Sequence, residues 1–144
     1  MDCLTFAHVP AIAVAPTDTV LDAVALTLPA KLGAVAVVDA GNLVGIFTER
    51  DVMLKVVHAR RDPLKTRVRD VMTSPVITIP RFLSRKEAMT LMVQHRIRHL
   101  PICEDGRTVL GMLSMQNLLK YLVEDLSSDV RHMEAYIGAE SPSR

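Results

Sequence analysis

The feature that most constrains this chain is an internal repeat, in which one order of signals recurs about 65 residues further along. A short apolar run closed by proline, Ala11–Pro16, is matched by Val76–Pro80, and a helical pattern over Val20–Lys31 is matched by Ser84–His95. Two strand patterns then follow in each copy: Ala34–Asp39 and Leu43–Thr48, then His99–Glu104 and Val109–Ser114. Each copy therefore predicts a β-α-β-β-α unit.

The connection between the last two strands of each unit is short and contains a glycine, Gly41 or Gly106, which predicts an antiparallel hairpin. A three-stranded sheet with helices on one side leaves its other face uncovered. We therefore expect an α/β (α+β) fold in which the two units pack against each other about a pseudo-two-fold axis. The expected boundaries are 8–60 for the first unit, 61–70 for a linker, 71–126 for the second unit and 127–144 for a C-terminal helical tail.

Composition argues against several classes of protein. The net charge of +1, from 17 basic and 16 acidic residues, does not provide the broad basic face of a nucleic-acid-binding protein. Cys3 and Cys103 form no CxxC motif, and the histidines lack partners at metal-ligand spacing, so neither a metal site nor a disulfide framework is indicated. Every long apolar stretch is interrupted and no leader pattern opens the chain, so we expect a cytoplasmic protein without membrane insertion.

A seven-residue motif closes the last strand of each unit, as Gly45–Asp51 and Gly111–Asn117. Thr48 and Ser114 each stand where a strand ends and a helix begins, where unpaired backbone N–H groups can hold an anion. The same pattern also fits an ordinary helix cap, with Asp51 closing a capping box. Spacing alone leaves both interpretations open.

The motif, its recurrence and the run Ile97–Ile102 together resemble the CBS domain, over roughly residues 10–126, as in stand-alone prokaryotic proteins with a tandem pair. The resemblance implies a regulatory module without catalysis that binds AMP, ADP, ATP, NADH or S-adenosylmethionine in clefts between the units and requires no cofactor. It implies that Asp51 holds the ribose hydroxyls and that Thr48 contacts ribose or phosphate. In the second cleft Ser114 and Asn117 take these roles, and the neutral amide predicts a weaker or empty site.

The resemblance also suggests ligand contacts outside the motif. Arg98 and His99 are expected to reach phosphates, whereas the first unit has Gly33 and Ala34 at the matching positions. Arg50 either approaches phosphate or pairs with Asp51. Apolar walls for an adenine ring are expected from the strands that begin each unit and their neighbours: Ile12, Val35, Val76 and Leu100.

The tail carries an apolar stripe at helical spacing: Leu119, Leu122, Leu126, Val130, Met133 and Ile137. The stripe either folds back on the same chain or packs against a second copy, and Ser127–Asp129 could divide it into two helices. By resemblance we expect a homodimer that modulates an unidentified partner protein. The alternative is a ligand-free structural module that acts through dimerisation. An enzyme is disfavoured because the sequence has no nucleophile-base set and no phosphate-binding glycine loop.

Overall fold

A computed structural model of the protein describes residues 1–140. After a short 3-10 turn at Cys3–Thr5, the elements are β1 (Ala13–Val14), α1 (Val20–Ala30), β2 (Ala34–Asp39), β3 (Asn42–Thr48), α2 (Glu49–Asp51) with a π-helical continuation (Val52–Val57), α3 (Val68–Val71), α4 (Arg85–His95), β4 (His99–Cys103), β5 (Val109–Ser114) and α5 (Met115–Glu140).

The predicted hairpins are confirmed. Strand β2 pairs antiparallel with β3, β4 pairs antiparallel with β5, and β1 lies parallel to β2. Helices α1 and α4 both begin with a capping box, formed by Thr19 with Asp22 and by Ser84 with Glu87. The same local signals therefore start the same helix in both units.

The first strand expected in the second unit is reduced to a single parallel bridge between Ile79 and Ile102. In the first unit the backbone N–H of Ala36 donates to the Ile12 carbonyl at 2.9 Å. The residue matching Ala36 is Pro101, which has no N–H to donate to the matching carbonyl of Ile77. The prediction of a strand over Val76–Ile79 was therefore wrong, because a ladder hydrogen bond is missing from this pair.

The two units exchange the segments that precede them. The backbone of Thr73 pairs with Ile46 of β3 through hydrogen bonds of 3.0 and 2.8 Å. In the same way His8, which precedes the first unit, pairs with Met112 of β5 in the second unit, at 2.9 and 3.0 Å. Each unit is therefore completed by a segment that leads into the other.

Three apolar cores follow from this arrangement. The first unit's core includes Val68 and Val71 of the exchanged segment, and the second unit's core includes Cys3. A third core joins the units, with Ala34, Ala36 and Ile46 packed with Met112. The residues of these cores are closely packed, and those of the third core hold the two units against each other.

Helix α5 runs without a break through Ser127–Asp129, so the suggested division into two helices is wrong. Serine and aspartate in a helix interior each cost only about 0.7 kcal/mol or less relative to alanine, which does not outweigh the surrounding turns. Within residues 1–140, no helix is both long and apolar enough to cross a membrane. Residues 141–144 of the expected tail lie outside the described residues.

Candidate functional site

A cavity of about 1000 Å³ lies between the two units, a volume at the upper end of the range for small-molecule sites. The first unit lines it with Gly33, Ile46, Thr48, Glu49, Arg50, Asp51, Met53, Leu54 and Lys55, and the second unit and its leading segment with Thr73, Pro75, Val76, Ile77, Met92, Val93, His95, Arg96, Ile97, Arg98, His99 and Met115. Six of the predicted site residues thus share one cleft: Thr48, Arg50, Asp51, Val76, Arg98 and His99.

Thr48 and Asp51 form the capping box that starts α2. The Asp51 Oδ2 atom accepts from the Thr48 backbone N–H at 3.0 Å and from its hydroxyl at 3.2 Å, and the Asp51 N–H donates to Thr48 Oγ1 at 3.3 Å. Asp51 is only 5% exposed, yet its side chain borders the cavity. Thr48 and Asp51 therefore cap the helix and also face the cleft. The interpretation as a helix cap is thus compatible with the interpretation as a ligand site.

The other carboxylate oxygen of Asp51 is also occupied. Oδ1 accepts from the Thr73 hydroxyl at 2.9 Å and from the Lys55 ammonium at 3.0 Å. A carboxylate has about four lone-pair positions, and Asp51 therefore uses all of them within the chain. A hydroxyl arriving in the cleft can bond to Asp51 only by displacing one of these donors.

Lys55 is the easier of the two donors to displace. Its side chain is 42% exposed, whereas Thr73 is held by the backbone pairing with Ile46. The lysine ammonium also lies 3.4 Å from the Met72 carbonyl and 3.3 Å from the Thr73 hydroxyl, which are long contacts. The ammonium can therefore turn toward an anion in the cleft.

Sequence reasoning missed Lys55, Thr73 and Glu49. Lys55 lies one helical turn after Asp51, and that spacing alone was a signal for an ion pair. Arg50 also borders the cleft, but Asp51 is paired with Lys55 instead. The sequence held no signal for Thr73, because only the exchange of leading segments brings it to Asp51.

Arg98 and His99 approach from the second unit. Burial lowers the pKa of His99 below its usual 6.5, and the positive charge of Arg98 lowers it further, while the Glu49 carboxylate opposes the shift. Gly33 leaves the room for this arrangement, since a Cβ there would lie 3.1 Å from the His99 ring and 3.2 Å from the Glu49 carboxyl carbon. Burial thus favours the neutral form of the His99 imidazole, which lies beside Arg98 in the cleft.

Gly45 of the motif permits the exchanged segment to pass. A Cβ at this position would lie 2.4 Å from Met72 Sδ and 3.3 Å from the Thr73 carbonyl oxygen. Gly111 does the same in the other unit, where a Cβ would lie 3.1 Å from the His8 carbonyl oxygen. The glycine of each motif therefore lies where the backbone of the exchanged segment passes closely, and a side chain there would press against that segment.

Five predicted site residues do not line this cavity. Val35 and Leu100 are fully buried in the two unit cores, and Ile12 packs against the first of them. Ser114 and Asn117 lie at the matching junction of the second unit, where the Asn117 N–H donates to Ser114 Oγ at 3.1 Å. Val76 is the one predicted apolar wall that borders the cavity.

The surroundings of Asn117 differ from those of Asp51. The residue matching Lys55 is Tyr121, whose ring meets Phe6 edge-on with centroids 4.0 Å apart. The residue matching Thr73 is His8, and its Nδ1 lies 3.1 Å from the Pro10 carbonyl oxygen. An aromatic contact therefore replaces the ion pair in the second half of the module.

Comparison with known families finds a match to the CBS domain at residues 6–58 and again at 68–124. Among curated proteins, the mitochondrial CBS domain-containing protein CBSX3 of Arabidopsis thaliana is 35% identical over 125 residues, which cover 83% of this chain and 60% of that protein. This chain therefore spans less than two thirds of that relative's length.

The solved structures that are similar to this one include the two described next. A putative signal-transduction protein with CBS domains from Burkholderia ambifaria is 38% identical with a TM-score of 0.76, and the match covers 80% of this chain and 84% of that one. The CBS domain pair of protein MJ0100, solved with 5′-methylthioadenosine and S-adenosyl-L-methionine, has a TM-score of 0.78 at 20% identity, over 87% of this chain and 98% of that one. The second likeness concerns the fold alone.

Proposed function

The chain belongs to the CBS-domain family and carries two such domains in tandem, and we propose that it is a regulatory module that binds an adenine nucleotide in the cleft of Asp51. Tandem CBS pairs are commonly regulatory ligand-binding modules, and the MJ0100 pair is one that holds adenosine compounds. The observation that carries the proposal is the single cleft in which a buried carboxylate, four lysine and arginine side chains and apolar walls come together.

Each part of an adenine nucleotide has a matching group. Asp51 is a charged acceptor suited to the ribose diol. Lys55, Arg50 and Arg98 are suited to phosphate oxygens, and the cleft is otherwise bordered by apolar side chains such as Val76 and Ile77. An adenine ring would be held there by aliphatic packing.

The Lys55–Asp51 pair favours an anionic ligand. When ribose hydroxyls reach Asp51, the Lys55 ammonium loses its partner and needs another negative group within reach. A phosphate supplies that group, whereas uncharged adenosine does not. We therefore expect AMP, ADP or ATP to bind more tightly than adenosine. S-adenosylmethionine carries a carboxylate but is positively charged overall, so we expect it to bind weakly among the basic side chains of the cleft.

Binding in this cleft would act on both units. Asp51 belongs to the first unit, Arg98 and His99 to the second, and Thr73 to the segment between them. A ligand that contacts both units and this segment changes how the units pack against each other. The size of that change is limited by the difference between the ligand's affinities for the bound and the unbound arrangement of the units. A partner protein that contacts both units could then detect the change.

Titration calorimetry of the purified chain against AMP, ADP, ATP, NADH, adenosine and S-adenosylmethionine tests the proposal. We expect one nucleotide per chain, since Asn117 lacks the charge and the ion pair of Asp51. Asp51→Ala should abolish measurable binding, while the matched variant Asn117→Ala keeps it. No binding by any of these compounds, or equal loss in both variants, would refute the proposal.

A second candidate is a ligand-free module that acts through assembly. It is favoured by the exposed apolar side chains along α5, which the nucleotide cleft does not use. Under this alternative, partner capture by the chain would be the same with and without nucleotide.

A further inference from the structure

Helix α5 continues well past the second unit. Leu118 is fully buried in the core of that unit, and Asp125 forms a salt bridge with Arg85 of α4. From Asp129 to Tyr136, every side chain is exposed. This part of the 26-residue helix therefore presents a surface to solvent.

The exposed apolar side chains on α5 follow a heptad pattern. Leu119, Val123, Leu126, Val130 and Met133 recur at steps of 4, 3, 4 and 3, and are 46%, 61%, 64%, 52% and 64% exposed. Ile137 continues the pattern. This series uses Val123, where the sequence pattern alone had suggested the half-buried Leu122. Alternating steps of 3 and 4 are the spacing of a coiled-coil seam, and here they extend over more than two heptads.

The residue types on this seam are those of a coiled-coil core. The positions equivalent to a are β-branched, at Val123 and Val130, and those equivalent to d are Leu119, Leu126 and Met133. Side chains at these positions are the ones that insert between residues of a facing helix in a coiled coil. The seam therefore fits a helix that carries a matching row of apolar side chains.

We propose that the partner is α5 of a second copy, packed antiparallel. With the two helices centred on Ser128, Val123 lies opposite Met133 of the second copy and Leu126 opposite its Val130. The seam is then self-complementary, as a two-fold dimer requires. The inference does not depend on nucleotide binding.

Charges flanking the seam decide the direction. In the antiparallel arrangement Lys120 faces Glu134 of the second copy, twice per dimer, and one repulsive pair of Asp129 residues forms on the other flank. In a parallel arrangement Asp129 would face Glu134 of the second copy twice, with no attractive pair to offset it. The antiparallel dimer thus has two attractive pairs and one repulsive pair, whereas the parallel dimer has two repulsive pairs. The charges therefore favour the antiparallel dimer.

Sedimentation equilibrium of the full chain at low salt tests the proposal. We expect a dimer that Leu126→Glu converts to a monomer, while Ala135→Glu, on the opposite exposed face of α5, leaves it dimeric. A monomeric wild-type chain at tens of micromolar would overturn the proposal, as would a Leu126→Glu variant that remains dimeric through another surface. Circular dichroism shows whether each variant keeps its fold, and titration with ADP shows whether it keeps its cleft. Failure of the dimer proposal can therefore be told apart from failure of the nucleotide proposal.

A charge exchange distinguishes the two directions. Glu134→Lys places like charges opposite Lys120 in the antiparallel dimer and should weaken it about tenfold at low salt. The double variant Lys120→Glu with Glu134→Lys restores the attraction and should recover the wild-type dissociation constant. In a parallel dimer Glu134→Lys would instead strengthen association with Asp129, and that result would refute the antiparallel arrangement.

Discussion

The substitution Lys55→Met tests the structural account of the cleft in depth, because it should move the affinities of two related ligands in opposite directions. Methionine keeps most of the aliphatic stem of Lys55 and removes the ammonium that lies 3.0 Å from Asp51 Oδ1. The change frees one acceptor position on a carboxylate whose other positions stay filled by Thr48 and Thr73. We expect this freed position to change the affinities for adenosine and for ADP in different ways.

The magnitudes follow from the exposure of the pair. The Lys55 side chain is 42% exposed, so solvent screens the ion pair and it contributes about 0.5–1 kcal/mol. Adenosine no longer has to break the pair, and its affinity should rise about twofold to fivefold. ADP gains the same amount but loses a charge-assisted hydrogen bond of about 1.5–3 kcal/mol, so its affinity should fall roughly fivefold to thirtyfold.

Calorimetry with adenosine and ADP, on wild type, Lys55→Met and the control Lys86→Met, measures both effects. Lys86 lies in the first turn of α4, whose last residues border the cleft, and its exposed side chain should not affect either ligand. If the affinities for adenosine and ADP both fall in Lys55→Met, or if neither affinity changes, then the Lys55 ammonium does not move from Asp51 to a phosphate when the ligand binds. Either result would refute the reasoning.

Two further predictions concern the folded state. Gly45→Ala should lower the free energy of unfolding by about 1–3 kcal/mol in urea titrations, because its Cβ would meet Met72 and the Thr73 carbonyl. The control Gly138→Ala, whose Cβ has nothing within 4 Å, should leave the free energy of unfolding equal or slightly higher. Equal effects of the two substitutions would contradict the close approach at Gly45. The lowered pKa of His99 means that the folded chain resists a proton that the unfolded chain takes up near pH 6.5, so stability should fall as pH drops below that value. Urea titrations at pH 7.5 and 5.5 should show a smaller loss in His99→Gln than in wild type, and identical losses would exclude burial of the imidazole as the cause.

The repeat made the architecture of each unit predictable. Strand and helix signals recur at offsets of 64 to 66 residues, and both hairpins and both capping boxes lie where those signals are. Local chemistry determines these elements, since caps, turns and short-range periodicity act within a few residues. The helix over Arg85–His95 and the strand over Ala34–Asp39 needed no tertiary information.

The composition of the cleft was only partly predictable, because it depends on contacts between distant segments. The segments around His8 and Thr73 carry no periodic pattern, and each is held by a single bridge on the other unit. Nothing in their local sequence indicates that exchange. The grouping of Arg98 and His99 with Asp51, rather than with Asn117 of their own unit, follows from the same arrangement of the units.

The exchange also determines how a ligand could affect the rest of the module. Thr73, which donates to Asp51, pairs through its backbone with Ile46, and Ile46 belongs to the core shared by both units. A ribose that displaces Lys55 from Asp51 Oδ1 would share that oxygen with the Thr73 hydroxyl, and so would bind next to one point where the units are joined. At the matching point, where His8 pairs with Met112, Asn117 stands in place of Asp51 and the Phe6–Tyr121 contact stands in place of the ion pair. One ligand per chain would thus alter one junction and leave the other, so binding would increase the difference between the two halves of the module.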